Sequence, residues 1–213
     1  MKSSLVVMEK LSPNHSGQRT QPISRLTVHH AAGVISLTNL LNIFVPTSRK
    51  ASCNYAIDGQ GNIGLCVPEN YRPWCSSSTY NDERAVTVEV ANSTTAPEWK
   101  ISDKAEEAIV KLAVDICKRH KLKGLYFDPD KNAPDKKDWL RVTYHHWFKA
   151  TLCPGPYIEK IMPRIIDKVN KELNPGVKEL WRVQVGAYSV EANAKAMAER
   201  LRKAGFDTYI VKY

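Results

Sequence analysis

The stretch Tyr144-His145-His146-Trp147-Phe148-Lys149-Ala150-Thr151-Leu152-Cys153-Pro154-Gly155 decides how this chain is read. It holds an imidazole and a thiol eight positions apart, flanking a short loop that closes on a Pro-Gly break. A second pair, His29-His30, ends the run Leu26-Thr27-Val28. Two imidazoles and one thiolate arriving from separate elements make a three-donor zinc site with a fourth position open, the catalytic rather than the structural arrangement. Neighbouring side chains on a strand point to opposite faces, so one member of each histidine pair is expected at a shared ion. Residue type alone does not say which.

Working outward, Leu26–His30 reads as a strand entering the interior, with its histidines at the strand end. Residues 53–58 and 63–67 form a hairpin pattern around Gly59-Gln60-Gly61-Asn62. In Ala85-Val86-Thr87-Val88-Glu89-Val90-Ala91 the valines share one face and Thr87 and Glu89 the other, which puts an acid inside a strand. Apolar residues at helical spacing predict an amphipathic helix between Ser102 and Lys121 and another from Pro156 to Leu173, ended by Asn174-Pro175-Gly176. Residues 128–138 carry Pro129 and Pro134 and read as a charged loop, after which 140–145 resumes a strand. The fold class is α/β (α+β): a central, mostly β layer flanked by helices, with a small C-terminal β-α-β unit. A main domain at 1–174 and a second unit at 177–213 follow from the break.

The chain of 213 residues suits one core of ordinary size plus an appendage. Hydrophobic residues at 43% and charged ones at 25% exclude wholesale disorder and membrane insertion. Five cysteines without paired spacing read as reduced thiols rather than a disulfide framework. A net charge of +9 favours a polyanionic partner, either nucleic acid or the anionic polymers of a bacterial wall. No stretch reads as a secretory signal, so synthesis in a cytoplasm is expected.

In chain order, Val28-His29-His30-Ala31-Ala32, Asn54-Tyr55-Ala56-Ile57-Asp58, Val86-Thr87-Val88-Glu89-Val90, and His145 through Thr151-Leu152-Cys153-Pro154-Gly155 resemble the zinc N-acetylmuramoyl-L-alanine amidases. That family includes the peptidoglycan recognition proteins and phage lysozyme-like enzymes. The resemblance spans roughly residues 20–173 and implies Zn²⁺ held by His29, His145 and Cys153, with His30 and His146 as neighbours. It implies Glu89 as general base and gives Thr151 the position of an oxyanion donor. Such an ion activates water and polarises the amide carbonyl. Asn54, Tyr71 and Trp74 are expected near substrate. The family often has an aromatic residue where this chain has Cys53, so the resemblance implies more reliance on Glu89; Cys53 itself reads as a buried apolar thiol rather than a nucleophile.

The implied reaction is cleavage of the amide between N-acetylmuramic acid and L-alanine of the peptidoglycan stem peptide, in the setting of a phage endolysin acting on the wall after lysis or release. The competing expectations are a non-catalytic peptidoglycan binder on the same fold, and a host autolysin or recycling amidase. Nucleic acid is not expected as a partner, because the tail lacks an aromatic-rich RNA-binding sheet motif. In that tail, 180–185 reads as a strand, Ser189 as the cap of a helix running to Lys203, Gly205 as its stop and 208–211 as a second strand. Trp181 through Ser189, with Ala192, Ala196, Leu201 and Gly205-Phe206-Asp207, resembles the first half of a SPOR domain, a peptidoglycan-binding β-α-β-β-α-β module. One half alone leaves sheet edges uncovered, which predicts pairing of two tails in a homodimer.

Overall fold

The computed structural model describes residues 1–175, 185–206, 208 and 210. In chain order the elements are β1 (Val6–Glu9), β2 (His15–Gln18), β3 (Arg25–His30), α1 (Leu37–Asn42), β4 (Tyr55–Ile57), β5 (Ile63–Leu65), β6 (Tyr71–Pro73) and α2 (Thr79–Asp82). They continue with β7 (Ala85–Val90), α3 (Asp103–Arg119), β8 (Leu125–Phe127), β9 (Leu140–Thr143), α4 (Pro156–Leu173) and α5 (Glu191–Lys203). Seven strands form one sheet in the order β1-β5-β4-β7-β3-β9-β8, and β2 pairs with β6 apart from it. All neighbours in the large sheet run parallel except the β4–β5 hairpin.

Alternation along β3 and β7 sorts the sheet's two faces. Leu26 and Val28, with Val86 and Val88, enter a core shared with Ile109, Leu112 and Ile116 of α3 and Ile158, Ile161 and Ile165 of α4. Thr27 and Thr87 lie on the other face, where a smaller core gathers Leu37, Leu40 and Leu41 of α1 with Cys53, Ala56 and Cys66. The face beneath the site is polar but satisfied. The Thr27 and Thr143 hydroxyls lie 2.8 Å apart, Asn81 Nδ2 donates to Thr27 and Ser76, and Thr143 donates to Asn81 Oδ1.

The helix ends follow local chemistry. The Ser102 hydroxyl accepts from Ala105 N–H, acids sit in the first turn of α3, and Lys118 and Arg119 sit in its last, opposing the helix dipole. Across the α3–α4 contact, buried Glu106 accepts from Arg164 and from Lys168 Nζ at 2.8 Å. The hairpin turn is held by Asp58 Oδ1, which accepts from the Gln60 and Asn62 N–H groups. The 128–138 loop is organised from beneath by fully buried Arg141, which donates to the carbonyls of Ala133, Asp128 and Asp130.

Two sequence expectations change. The strand expected over 140–145 stops at Thr143, and His145–Trp147 is a 3-10 turn, because the chain must leave the sheet there to reach the Cys153 loop. Ser189 is not the cap of α5; Val190 holds that position without a side-chain hydrogen bond. Gly205 follows the helix at φ +86°, the left-handed conformation for which glycine is favoured. The chain divides into two units, Met1–Gly176 and Val177–Tyr213. The tail strand expected over 180–185 lies mostly outside the described residues, as does that over 208–211.

A buried acid far from the site sets a pH response. The Glu69 carboxylate, 0% exposed, accepts from Arg119 at 2.6 and 2.7 Å and from the Tyr55 hydroxyl, and His120 Nε2 lies 2.9 Å away. Burial alone pushes its pKa up, but the hydrogen bonds from His120, Arg119 and Tyr55 outweigh this and hold it at about 2. A folded-state pKa below the unfolded value gives stability that is complete above about pH 5 and is lost as pH falls toward about 2. The contribution is about 3 kcal/mol at 1.36 kcal/mol per unit. Denaturant unfolding as a function of pH is expected to show this acid limb flattened in Glu69→Gln. An unchanged limb would remove Glu69 as its source.

Candidate metal centre and cleft

Three adjacent parallel strands carry the site at their carboxyl ends, where sheets of this kind open their clefts. His29 and Glu89 are register partners on β3 and β7, so they stand side by side on the same face. The 3-10 turn after β9 brings in His145, whose ring centroid lies 4.8 Å from that of His29 in an edge-on arrangement. Cys153 Sγ lies 3.3 Å from His29 Nδ1. One donor atom from each of His29, His145 and Cys153 falls within 4.8 Å of the others.

Cys153 is delivered by the turn that starts α4. Gly155, at φ +86°, caps the helix and passes close to other groups: a Cβ there would stand 3.4 Å from Trp99 Cβ and 3.6 Å from the His30 ring. Pro156 then occupies the first helical turn, where a missing N–H costs nothing. Thr151 Oγ1 accepts from the Cys153 N–H at 3.2 Å and fixes the loop from its other side.

The donors suit a zinc-type ion. Among the described residues, Nε2 of His29, Nδ1 of His30 and Nε2 of His145 are buried without hydrogen-bond partners, which is unfavourable for polar atoms left unmatched. Burial, reinforced by His145 and His30, drives the His29 pKa well down, and burial with His146 lowers that of His145. Both rings are therefore neutral, as metal donors must be. Burial and Glu89 push the Cys153 thiol up, the effect that a bound dication reverses.

Glu89 is partly buried, and burial raises its carboxyl to about 8 against the opposing pull of Arg49. A carboxyl in that range exchanges a proton near neutrality. Cys75 completes a second grouping, with donor atoms of His29, Cys75 and Glu89 within 4.8 Å of one another. Its sequence position carried no signal, because the β6–α2 connection that places it has no periodicity. Glu89 and His145 open into a cleft of about 460 Å³ walled by Arg49, Lys50, Trp74 and Ser77–Thr79.

Other expected site residues are distributed unevenly. Trp74 lines the cleft, 37% exposed, its indole donating to Ser16 Oγ at 2.6 Å. Tyr71, in β6, lies tilted against His15 at 4.9 Å and packs against the smaller core, and it does not line the cleft. Asn54, expected near substrate, is fully buried. Its Oδ1 accepts from Thr87 N–H and Arg19, and its Nδ2 donates to the Val67 and Pro68 carbonyls, which leaves nothing for a ligand. Cys53 is buried beside Cys66, its thiol pushed well up by burial. His146 turns away to stack on Tyr144 and approach Glu159 at 3.4 Å, and His30 faces Trp99 at 5.2 Å.

At this level the fold presents a cleft at the strand ends whose His29, His145 and Cys153 could hold a metal ion. Comparison with curated protein sequences finds no match. The family profile described as N-acetylmuramoyl-L-alanine amidase matches residues 19–156, and the chain belongs to that family: it is a peptidoglycan amidase. A second profile, the SPOR domain, matches residues 178–213, and the two together imply peptidoglycan binding.

Solved structures agree on the fold. The Staphylococcus aureus hydrolase AmiA in complex with its ligand aligns over 82% of this chain and 85% of its own, at 13% identity and a TM-score of 0.62. A mutant endolysin from Bacillus subtilis aligns over 77% of this chain and 99% of its own, at 13% identity and a TM-score of 0.55. The catalytic domain of XlyA aligns over the same shares at 12% identity and a TM-score of 0.55.

Proposed function

We propose that this amidase cleaves the bond between the lactyl group of N-acetylmuramic acid and L-alanine of the stem peptide, using zinc held by His29, His145 and Cys153. The observation that carries the reading is the convergence of two neutral imidazoles, each with an Nε2 that lacks a hydrogen-bond partner, and a thiol beside a half-buried acid in an open cleft. When bound, the ion supplies Lewis-acid polarisation of the scissile carbonyl and activation of the attacking water. Glu89 takes the proton from the nucleophile and returns it to the leaving amine, a role supported by its place beside His29 in the β3–β7 register and at the cleft. Thr151 spends an oxygen lone pair on the Cys153 N–H, so its own O–H remains available to donate to the tetrahedral oxyanion.

The biological setting in this reading is an endolysin reaching the wall after release, with the charge of +9 drawing it to anionic wall polymers. The second unit binds peptidoglycan and pairs between two copies. Supporting the pairing, Val185, Val190 and Phe206 stand 58%, 52% and 63% exposed, an apolar set that a second copy would cover. A monomeric mass by light scattering at micromolar concentration overturns the pairing.

Digestion of purified sacculi with and without chelator, followed by mass analysis of the products, tests the main reading. Free stem peptides released only in the metal-loaded reaction are expected. Release of disaccharides or of cut cross-bridges refutes it.

A further inference from the structure

Two cations in the cleft have no work to do in the fold. Arg49 ends a 3-10 turn, Thr47–Arg49, and Lys50 caps it. Lys50 adopts φ +47° and ψ 33°, a left-handed conformation unusual for lysine. Among the described residues neither side chain has an ion-pair or hydrogen-bond partner, and both are exposed. The other arginine on this wall is spoken for: Arg72 lies 3.2 Å from Glu83.

Two acids face the same space, and neither is within ion-pair distance of the two cations, although the charge of Arg49 is felt at Glu89. Asp82 accepts from the Cys75 and Ser76 N–H groups at 3.0 Å each and from the Ser76 hydroxyl at 2.5 Å, so its carboxylate is consumed by the β6–α2 turn. Glu89 is the proton carrier of the proposed reaction and must stay free to exchange. The rest of the wall mixes the hydroxyls of Ser52, Ser77, Ser78 and Thr79 with the apolar surfaces of Phe44 and Trp74, and adds no further acid. Such a surface is complementary to an anion carried by the substrate itself.

We infer that Arg49 and Lys50 form a carboxylate-reading subsite in the cleft, which makes this enzyme select stem peptides with free carboxylates over the same peptides with those groups amidated. The inference rests on the amidase reading above. A guanidinium matches a carboxylate through two parallel N–H donors, whereas a carboxamide presents a single oxygen and its own competing donors. Arg49 therefore carries the larger share, with Lys50 adding a point charge. Selection is a difference between two substrates, so it is read as a ratio and is independent of the absolute rate.

The test uses the full chain and two synthetic N-acetylmuramyl tripeptides, identical except that every carboxylate is free in one and amidated in the other. The wild-type protein is expected to favour the free acid by about tenfold or more in kcat/KM, the scale of one charge-assisted contact. The preference is expected to shrink as salt is added, since exposed charges are screened. In Arg49→Gln most of the ratio should vanish, and in Arg49→Gln with Lys50→Gln it should approach one. Thermal unfolding by circular dichroism establishes that the variants are folded.

A wild-type ratio of one, or a ratio that survives the double substitution, overturns the subsite. Weakened binding of the double variant to whole walls with an unchanged ratio also overturns it, and would assign the two cations to a polymer surface instead. If the wild-type protein releases peptide from neither substrate, the amidase reading fails and takes this inference with it.

Discussion

His145→Ala is expected to bind no stoichiometric zinc and to release no stem peptide above background, while His146→Ala retains both. The two positions are adjacent in sequence and opposite in role. His145 offers a neutral ring with an orphaned Nε2 beside His29 and Cys153, whereas His146 stacks on Tyr144 and approaches an acid of α4. Removing one of three protein donors leaves two, too few to hold a catalytic ion against exchange. Metal analysis after gel filtration distinguishes the pair, and thermal unfolding shows whether each variant is folded. Stoichiometric zinc in folded His145→Ala would sink the ligand assignment whatever its activity.

The second large effect belongs to Glu89→Gln, which should lower kcat by about 10²–10⁴, the range that proton transfer by a positioned side chain supplies. Zinc content should be unchanged with His29, His145 and Cys153 as the ligands; loss of zinc would assign the ion instead to the second grouping of His29, Cys75 and Glu89. The amide keeps the shape and loses the capacity to accept and return a proton, so KM is expected to move little while kcat collapses. A Glu89→Gln protein that turns over within a few-fold of wild type would show that another group carries the proton.

The grouping of His29, His145 and Cys153 in space was legible because two of its neighbouring strands announce their own direction. Leu26–His30 and Ala85–Val90 alternate cleanly, so the face bearing Glu89 could be read before any contact was known, and the register that pairs it with His29 agrees. α4 was bounded at the residues observed, since Pro156 and Asn174-Pro175 are strong punctuation. The resemblance, not the spacing, separated His29 and His145 from their neighbours.

What the sequence concealed is what packing creates. His145 sits in a 3-10 turn rather than on a strand, a change made by the path from β9 to the Cys153 loop. Cys75, Arg49 and Lys50 come from irregular connections and reach the cleft through tertiary placement, which no hydrophobic period encodes. Asn54 was misjudged in the opposite sense: a polar residue beside expected site positions proved to be a brace whose hydrogen-bonding capacity is spent inside the sheet. Ser189 looked like a cap by type, but the helix begins one residue later than its side chain would serve.

The ladder joining β3 to β7 makes catalytic competence a readout of strand alignment. Because His29 and Glu89 face each other through backbone pairing, sliding one strand by a single position would flip the acid to the opposite side of the sheet, among the apolar side chains of the helical layer. A chain trapped in that slipped arrangement could retain helices and much of its sheet yet be inert. Specific activity per bound metal ion therefore serves as a register gauge for refolded preparations, sensitive to a one-residue error that far-ultraviolet dichroism would pass over.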